Sequence, residues 1–232
     1  MDLKNFKTNI DGDRVYLRIM ESSDASAEYA GWLNDPVVNQ YLETRVATVP
    51  DLELYVREKL ESGWALFFGI FFKENTNTPP LFRQRTDPPW ADRAEGSSPR
   101  RSPQAKTGVG SQRGREGKPD SAPQSGATPG KHIGTVKLEP IDVDKGTAMF
   151  GLLIGDRDYW GKGIATEVTN LIVDFAFNTL GLREVTLGVL ADNKAAIRVY
   201  EKCGFVLDRV EPKAIDHGGV LYDQVWMKKV KN

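Results

Sequence analysis

Apolar positions along this chain change their period from two to about three and a half and back again, and each change marks an element. Residues 14–19, "RVYLRI", alternate like a half-buried strand. "SDASAEYAGWL" opens on Ser/Asp capping chemistry and reads as a helix, and a short helix follows the Asn34-Asp35-Pro36 turn. "VPDLELYVREKLESG" predicts another helix, with Pro50 near its start and Gly63 at its end. Strands are expected at 64–72, 133–138 and 147–154, then a helix at 164–180, a strand at 183–190 and a helix at 194–202. Two strands, 205–210 and 220–228, close the chain. In the 164–180 helix, Ala165, Val168, Ile172, Phe175, Ala176 and Thr179 fall on one face at spacings of three and four. Strands cluster early and alternate with helices late, which predicts a mixed α/β (α+β) domain with early antiparallel strands and late crossover helices.

From 79 to 131 this patterning stops. The stretch is rich in Pro, Gly, Ser, Arg and Gln and holds no isoleucine or tyrosine. Such a segment buries too little apolar surface to offset its ordering entropy, so a disordered insert is expected. Its flanks make sense when joined, because 64–72 and 133–138 then form a hairpin of ordinary loop length. The expectation is one domain, 1–232, interrupted at 79–131.

Composition narrows the partners. The chain has 232 residues, 40% of them hydrophobic, enough for a real core, and a net charge of −1 with a pI near 6.2 exerts no global pull on nucleic acid or anionic membrane. Ten Lys and Arg against five Asp and Glu make the insert the one basic patch. Phe82 and Trp90 are too few to stack a single strand, so nucleic acid is not the expected partner. One cysteine, Cys203, and two histidines give neither a disulfide framework nor a metal cluster. The longest apolar run, 64–72, is far short of the roughly 20 residues of a membrane span, and the first residues lack a signal-peptide core. A soluble cytoplasmic protein is expected, with a homodimer left open.

"DYWGKGIAT", residues 158–166, stands where a strand passes into the long amphipathic helix. A helix start presents unpaired N–H groups and the positive end of a dipole, and small residues there admit a phosphate to the backbone. Neither a Walker order nor a Gly-x-Gly-x-x-Gly order is present, so on its own the stretch is an anion cradle or a plain turn. "LREVTLGVLADNKAAIRVYEKCGFV" then adds a strand, Asn193 at its end, a short helix and a Gly204-Phe205 stop.

At these residues the chain resembles the GNAT superfamily of acyl-coenzyme A N-acyltransferases, in the branch of ribosomal-protein N-terminal and amino-sugar acetyltransferases. The phosphate-loop pattern Gln/Arg-x-x-Gly-x-Gly/Ala is matched by "WGKGIA", with Trp160 at its head, and the later pattern by Asn193, Tyr200, Lys202, Gly204 and Phe205. The resemblance covers the chain outside the insert. It implies a GNAT-like, mostly antiparallel central sheet flanked by helices, and acetyl-CoA as cosubstrate without a metal. By that resemblance, backbone amides of Gly161, Lys162, Gly163, Ile164, Ala165 and Thr166 would hold the pyrophosphate, Lys162 adding positive charge. Backbone groups of Leu152, Leu153 and Ile154 would pair with the pantetheine arm where two strands splay, and Asn193 would hydrogen-bond it. Tyr200 would protonate the leaving thiolate.

Read as residues alone, several of these keep a second role. Tyr200 shares a helical face with Ala196, Val199 and Cys203 and also suits the core; Asn193 also suits a helix cap; Cys203 reads as a small buried hydrophobe; His132 and His217 read as a strand start and a turn. Many relatives carry a Glu on the strand before the phosphate loop, where this chain has Phe150. The general base is therefore open among Glu139, Asp223, Glu43 and a water chain. The acceptor side is expected at Trp32, Asn34, Tyr41 and Glu43, an aromatic and polar mix suited to a small-molecule amine. Amino sugars, above all nucleotide-linked ones, are the preferred acceptor; a protein N-terminus, a polyamine and a degenerate coenzyme A-binding module are the alternatives.

Overall fold

A computed structural model describes residues 3, 6, 8–42, 46–73, 130–217 and 219–231. Among these residues eight strands form one sheet: β1 (Asn9–Asp11), β2 (Val15–Ile19), β3 (Leu66–Phe72), β4 (Lys131–Asp142), β5 (Thr147–Ile154), β6 (Glu184–Leu190), β7 (Val206–His217) and β8 (Val220–Val230). Their order is β1-β2-β3-β4-β5-β6-β8-β7, and every neighbouring pair is antiparallel except β5 with β6. The expected mixed, mostly antiparallel sheet is present, with the parallel step where a helix crosses over.

Among the described residues four α-helices cover the sheet: α1 (Ala27–Asn34), α2 (Val49–Glu61), α3 (Ile164–Asp174) and α4 (Lys194–Lys202). Local chemistry sets their ends. Ser26 caps α1 by accepting from the Tyr29 N–H, and Thr48 and Asp51 form a capping box at α2, with Pro50 in its first turn. Ile164, Val168 and Ile172 of α3 and Tyr200 of α4 bury against Val136, Leu138, Phe150 and Leu187 on one face of the sheet. Leu33 of α1 and Leu52 and Val56 of α2 bury with Phe67 on the other face. Each such apolar side chain contributes about 2 kcal/mol when removed from water.

Phe72 and Lys131 are register partners, so the strands flanking the composition break pair as the predicted hairpin. Residues 74–129 lie outside the described residues, and with them the insert expected at 79–131 except its last two positions; Lys131 opens β4.

The largest boundary differences fall at three elements. The 164–180 helix changes to a π-helical turn at Phe175–Thr179; this keeps Phe175, Ala176 and Phe177 buried and turns Thr179, expected on the buried face, to solvent. β7 runs past Val210 to His217, because the register shifts between Glu211 and Ile215 absorb Pro212 and Lys213, whose φ is 53°. β4 continues beyond Leu138 through a second irregularity that contains Pro140.

Candidate active site

β5 and β6 pair only at Thr147–Glu184, Ala148–Val185 and Met149–Thr186, and beyond Met149 they part. The Gly155 N–H donates to the Ile133 carbonyl on β4 at 2.9 Å. Strand alternation then aims the N–H and C=O of Leu153 at β4 and those of Leu152 and Ile154 into the gap. Of the three residues expected to pair with a pantetheine arm, Leu152 and Ile154 turn their backbone into the gap, and Leu153 is committed to the ladder, opposite Thr135. Across the gap, the Ala191 N–H donates to the Asp223 carbonyl on β8, which leaves the Gly188 backbone directed at β5. Backbone polar groups with no strand partner are costly unless something pairs with them, and an extended amide chain is of the right kind.

The gap leads to the glycine loop. Gly161 and Gly163 have φ of 71° and 78°, the left-handed region, and Gly163 is the N-cap of α3 with no side chain capping the first turn. The amides of Ile164, Ala165 and Thr166 begin the helix there, and Gly161, Lys162 and Gly163 are exposed. Trp160 ties this loop to the strand end: its indole N–H donates to the Ile154 carbonyl at 2.7 Å, so that carbonyl is already occupied.

A clamp that the motif did not reveal fixes the loop from behind. Glu167 of α3 accepts from the Arg14 backbone N–H (2.8 Å), Arg14 Nε (2.8 Å) and the Val15 N–H (3.3 Å), while Arg14 Nη1 donates to the Lys162 carbonyl (2.6 Å). A carboxylate in the first turn of an anion-binding helix opposes the anion unless it is paired, and that oddity was the available signal. Glu167→Gln is expected to lower stability by about 2 kcal/mol and weaken acetyl-CoA binding several-fold, as read by thermal unfolding and titration; unchanged values in both would exclude the clamp.

On the other side of the gap, Tyr200 is buried beside Phe150 and Phe205, with ring centroids 5.9 and 6.0 Å away. Burial pushes its phenol well above the ordinary tyrosine value. Phe150, at the position where many relatives were expected to carry Glu, is buried on β5. Asn193 caps α4 by accepting from the Ala196 N–H at 3.1 Å, which leaves its amide NH2 without a described protein partner. Cys203 is buried, its thiol pushed up by burial, in accord with an inert core position.

Of the residues expected on the acceptor side, Trp32 and Asn34 make packing and hydrogen-bond contacts within the fold. Trp32 is buried, its ring lying where a Cβ on Gly155 would come within 2.1 Å, and edge-on to His132. The Asn34 amide ties α1 to the following loop through the Ala30 and Ala47 carbonyls and the Ala47 N–H. Tyr41 ends a short 3-10 turn and is half-buried. Glu43 lies outside the described residues.

Of the candidate bases, Asp223 is exposed and accepts from the Lys213 N–H at 2.9 Å. Glu139 is buried between Lys59, its close hydrogen-bond partner, and Lys137, whose Nζ is 3.1 Å from Oε2. Burial alone pushes its carboxyl up, but the two ammonium groups outweigh this and hold it below the usual range, which makes it a poor proton acceptor. Glu139→Gln leaves those ammonium groups uncompensated, and a loss of about 2–3 kcal/mol is expected by urea unfolding at neutral pH. A carboxyl held low contributes stability above its ordinary pKa, so the difference should close as pH falls through the carboxylate range.

The sequence profile of the acetyltransferase (GNAT) domain family matches residues 14–206, most of the chain, and the protein belongs to that family. Among individual proteins, it is 38% identical over 94 residues to Bacillus subtilis "Probable N-acetyltransferase YjcK", a match covering 39% of this chain and 50% of that one. It is 36% identical over 74 residues to Vibrio cholerae spermidine N(1)-acetyltransferase, covering 32% and 42%. The chain thus spans half or less of the length of these curated relatives. Its fold is shared with Vibrio cholerae spermidine N-acetyltransferase in complex with CoA and spermine, at a TM-score of 0.64 and 18% identity over 94% of this chain and 95% of that one. It is shared also with RimL, a ribosomal L7/L12 alpha-N-protein acetyltransferase in complex with coenzyme A, at 0.66 and 14% over 96% and 98%. No helix among the described residues is long and apolar enough to cross a membrane, and no metal-binding group of His, Cys, Asp or Glu occurs among them.

Proposed function

We propose that this protein transfers the acetyl group of acetyl-CoA to a primary amine by direct attack. One observation carries the reading: β5 parts from β6 beyond Met149, next to Phe150, whose ring is 5.9 Å from that of Tyr200, and the chain leaving β5 leads to the start of α3, which no side chain caps. Acetyl-CoA supplies a thioester carbon open to attack by a neutral amine. The amides from Gly161 to Thr166 would hold its pyrophosphate, with Lys162 adding charge. Leu152, the Ile154 N–H and Gly188 would pair with the amide arm, joined by the Asn193 NH2. Tyr200 keeps its proton over the working pH range, so its hydroxyl is the donor for the departing sulfur. With Glu139 pinned and Phe150 apolar, the amine loses its proton to water. No enzyme nucleophile is needed, in accord with a buried Cys203 whose thiol is held protonated.

The relatives above are named for spermidine and for a ribosomal protein, and neither name supports the amino sugar preferred from the sequence. Thiol release from acetyl-CoA with spermidine, glucosamine and a short peptide tests the reading. Amine-dependent release supports it; hydrolysis without amine dependence contradicts it.

A further inference from the structure

The side of the gap that faces α2 has an unusual charge. Val136 and Leu138 point into the α3 and α4 core, so Lys137 between them faces α2. Its stem lies against β5 at Gly151, where a Cβ would come within 3.2 Å of it, and its ammonium contacts the Tyr55 hydroxyl at 3.2 Å. Gly151 adjoins Leu152, whose backbone opens to the gap, and the Lys137 side chain is 36% exposed. The charge thus sits at the edge of the region where the acceptor must arrive.

Among the described residues this charge is only partly cancelled. Lys59 and Lys137 share the single carboxylate of Glu139, an excess of one positive charge. Met149 and Gly151 of β5, and Gly188, Gln224 and Trp226 of β6 and β8, occupy the same face by alternation, and none is acidic; the one acidic residue of β6 on that face, Glu184, stands opposite Thr147 at the far end of β5. Glu211, farther out on β7, is paired with Arg209 at 2.9 Å. Burial lowers the Lys137 pKa, but Tyr55 and Glu139 outweigh it and keep the ammonium charged.

Resting on the acetyltransferase reading, we propose that the acceptor is a primary amine bearing a nearby anionic group, a carboxylate or phosphate, held by Lys137 with Tyr55. A polyamine brings two or more cations up to the excess charge of Lys59 and Lys137, so its approach there is repelled.

The test is thiol release at low salt with matched pairs: O-phosphoethanolamine against ethanolamine, and the dipeptides Ser-Glu against Ser-Gln, with spermidine alongside. The anionic member of each pair is expected to have a kcat/KM about 10-fold higher or more. Lys137→Met should shrink that ratio about 10-fold while Lys137→Arg retains it; acetyl-CoA titration of each variant verifies the fold. Equal efficiencies within the pairs, spermidine as the best acceptor, or a ratio indifferent to Lys137→Met overturns the proposal alone. Absence of turnover with every amine, acetyl-CoA still binding, overturns the acetyltransferase reading and this proposal with it.

Discussion

Tyr200→Phe is expected to lower kcat at least about 100-fold while acetyl-CoA binds as tightly as before, because the change removes only the proton that leaves with the sulfur. The ring would remain packed against Phe150 and Phe205. The hydroxyl makes no hydrogen bond to a described residue, so its loss orphans no partner and stability should change by less than about 0.5 kcal/mol. The alkaline limb separates the roles further. A phenol raised by burial contributes stability below its unfolded pKa near 10, and loses it as pH rises toward the folded value. The variant should therefore lack that part of the alkaline destabilisation. An unchanged kcat would assign Tyr200 to the core alone.

Gly163→Val is expected to weaken acetyl-CoA binding roughly 10- to 100-fold. At φ 78° a β-branched residue is strained by about 1–3 kcal/mol, and the chain relieves the strain by rotating the amides that begin α3. The added side chain also approaches the Arg14 clamp, since even a Cβ would lie 3.6 Å from Nη2. Gly161→Ala is the milder companion: φ is 71° but a Cβ meets nothing within 4 Å, so only the backbone cost of about 1 kcal/mol applies. Titration with acetyl-CoA reads both, and wild-type affinity in Gly163→Val would show that this loop does not touch the coenzyme.

What could be read from the residues divides by range. α4 was legible to its last residue because Asn193 caps it and Gly204, at φ 84°, stops it, both local signals. β5 was legible because its apolar run ends where the glycine loop begins. The gap beside it was not, since it depends on how few residues β5 shares with a strand more than thirty positions away. The Arg14–Glu167 clamp joins positions 153 apart, and no spacing rule reaches that far. Trp32 read as an acceptor contact because aromatic and polar neighbours suit one; Gly155, by having no side chain, takes its ring into the core instead. Leu153 was assigned with its neighbours, but alternation splits any three consecutive strand residues between two sides.

Whether the gap and the glycine loop together hold acetyl-CoA is decided by calorimetric titration of the full chain with acetyl-CoA. One-to-one binding, competed by coenzyme A and weakened by Gly163→Val, is the result predicted; a folded chain that takes up no acetyl-CoA would reduce "WGKGIA" to a turn and contradict the account.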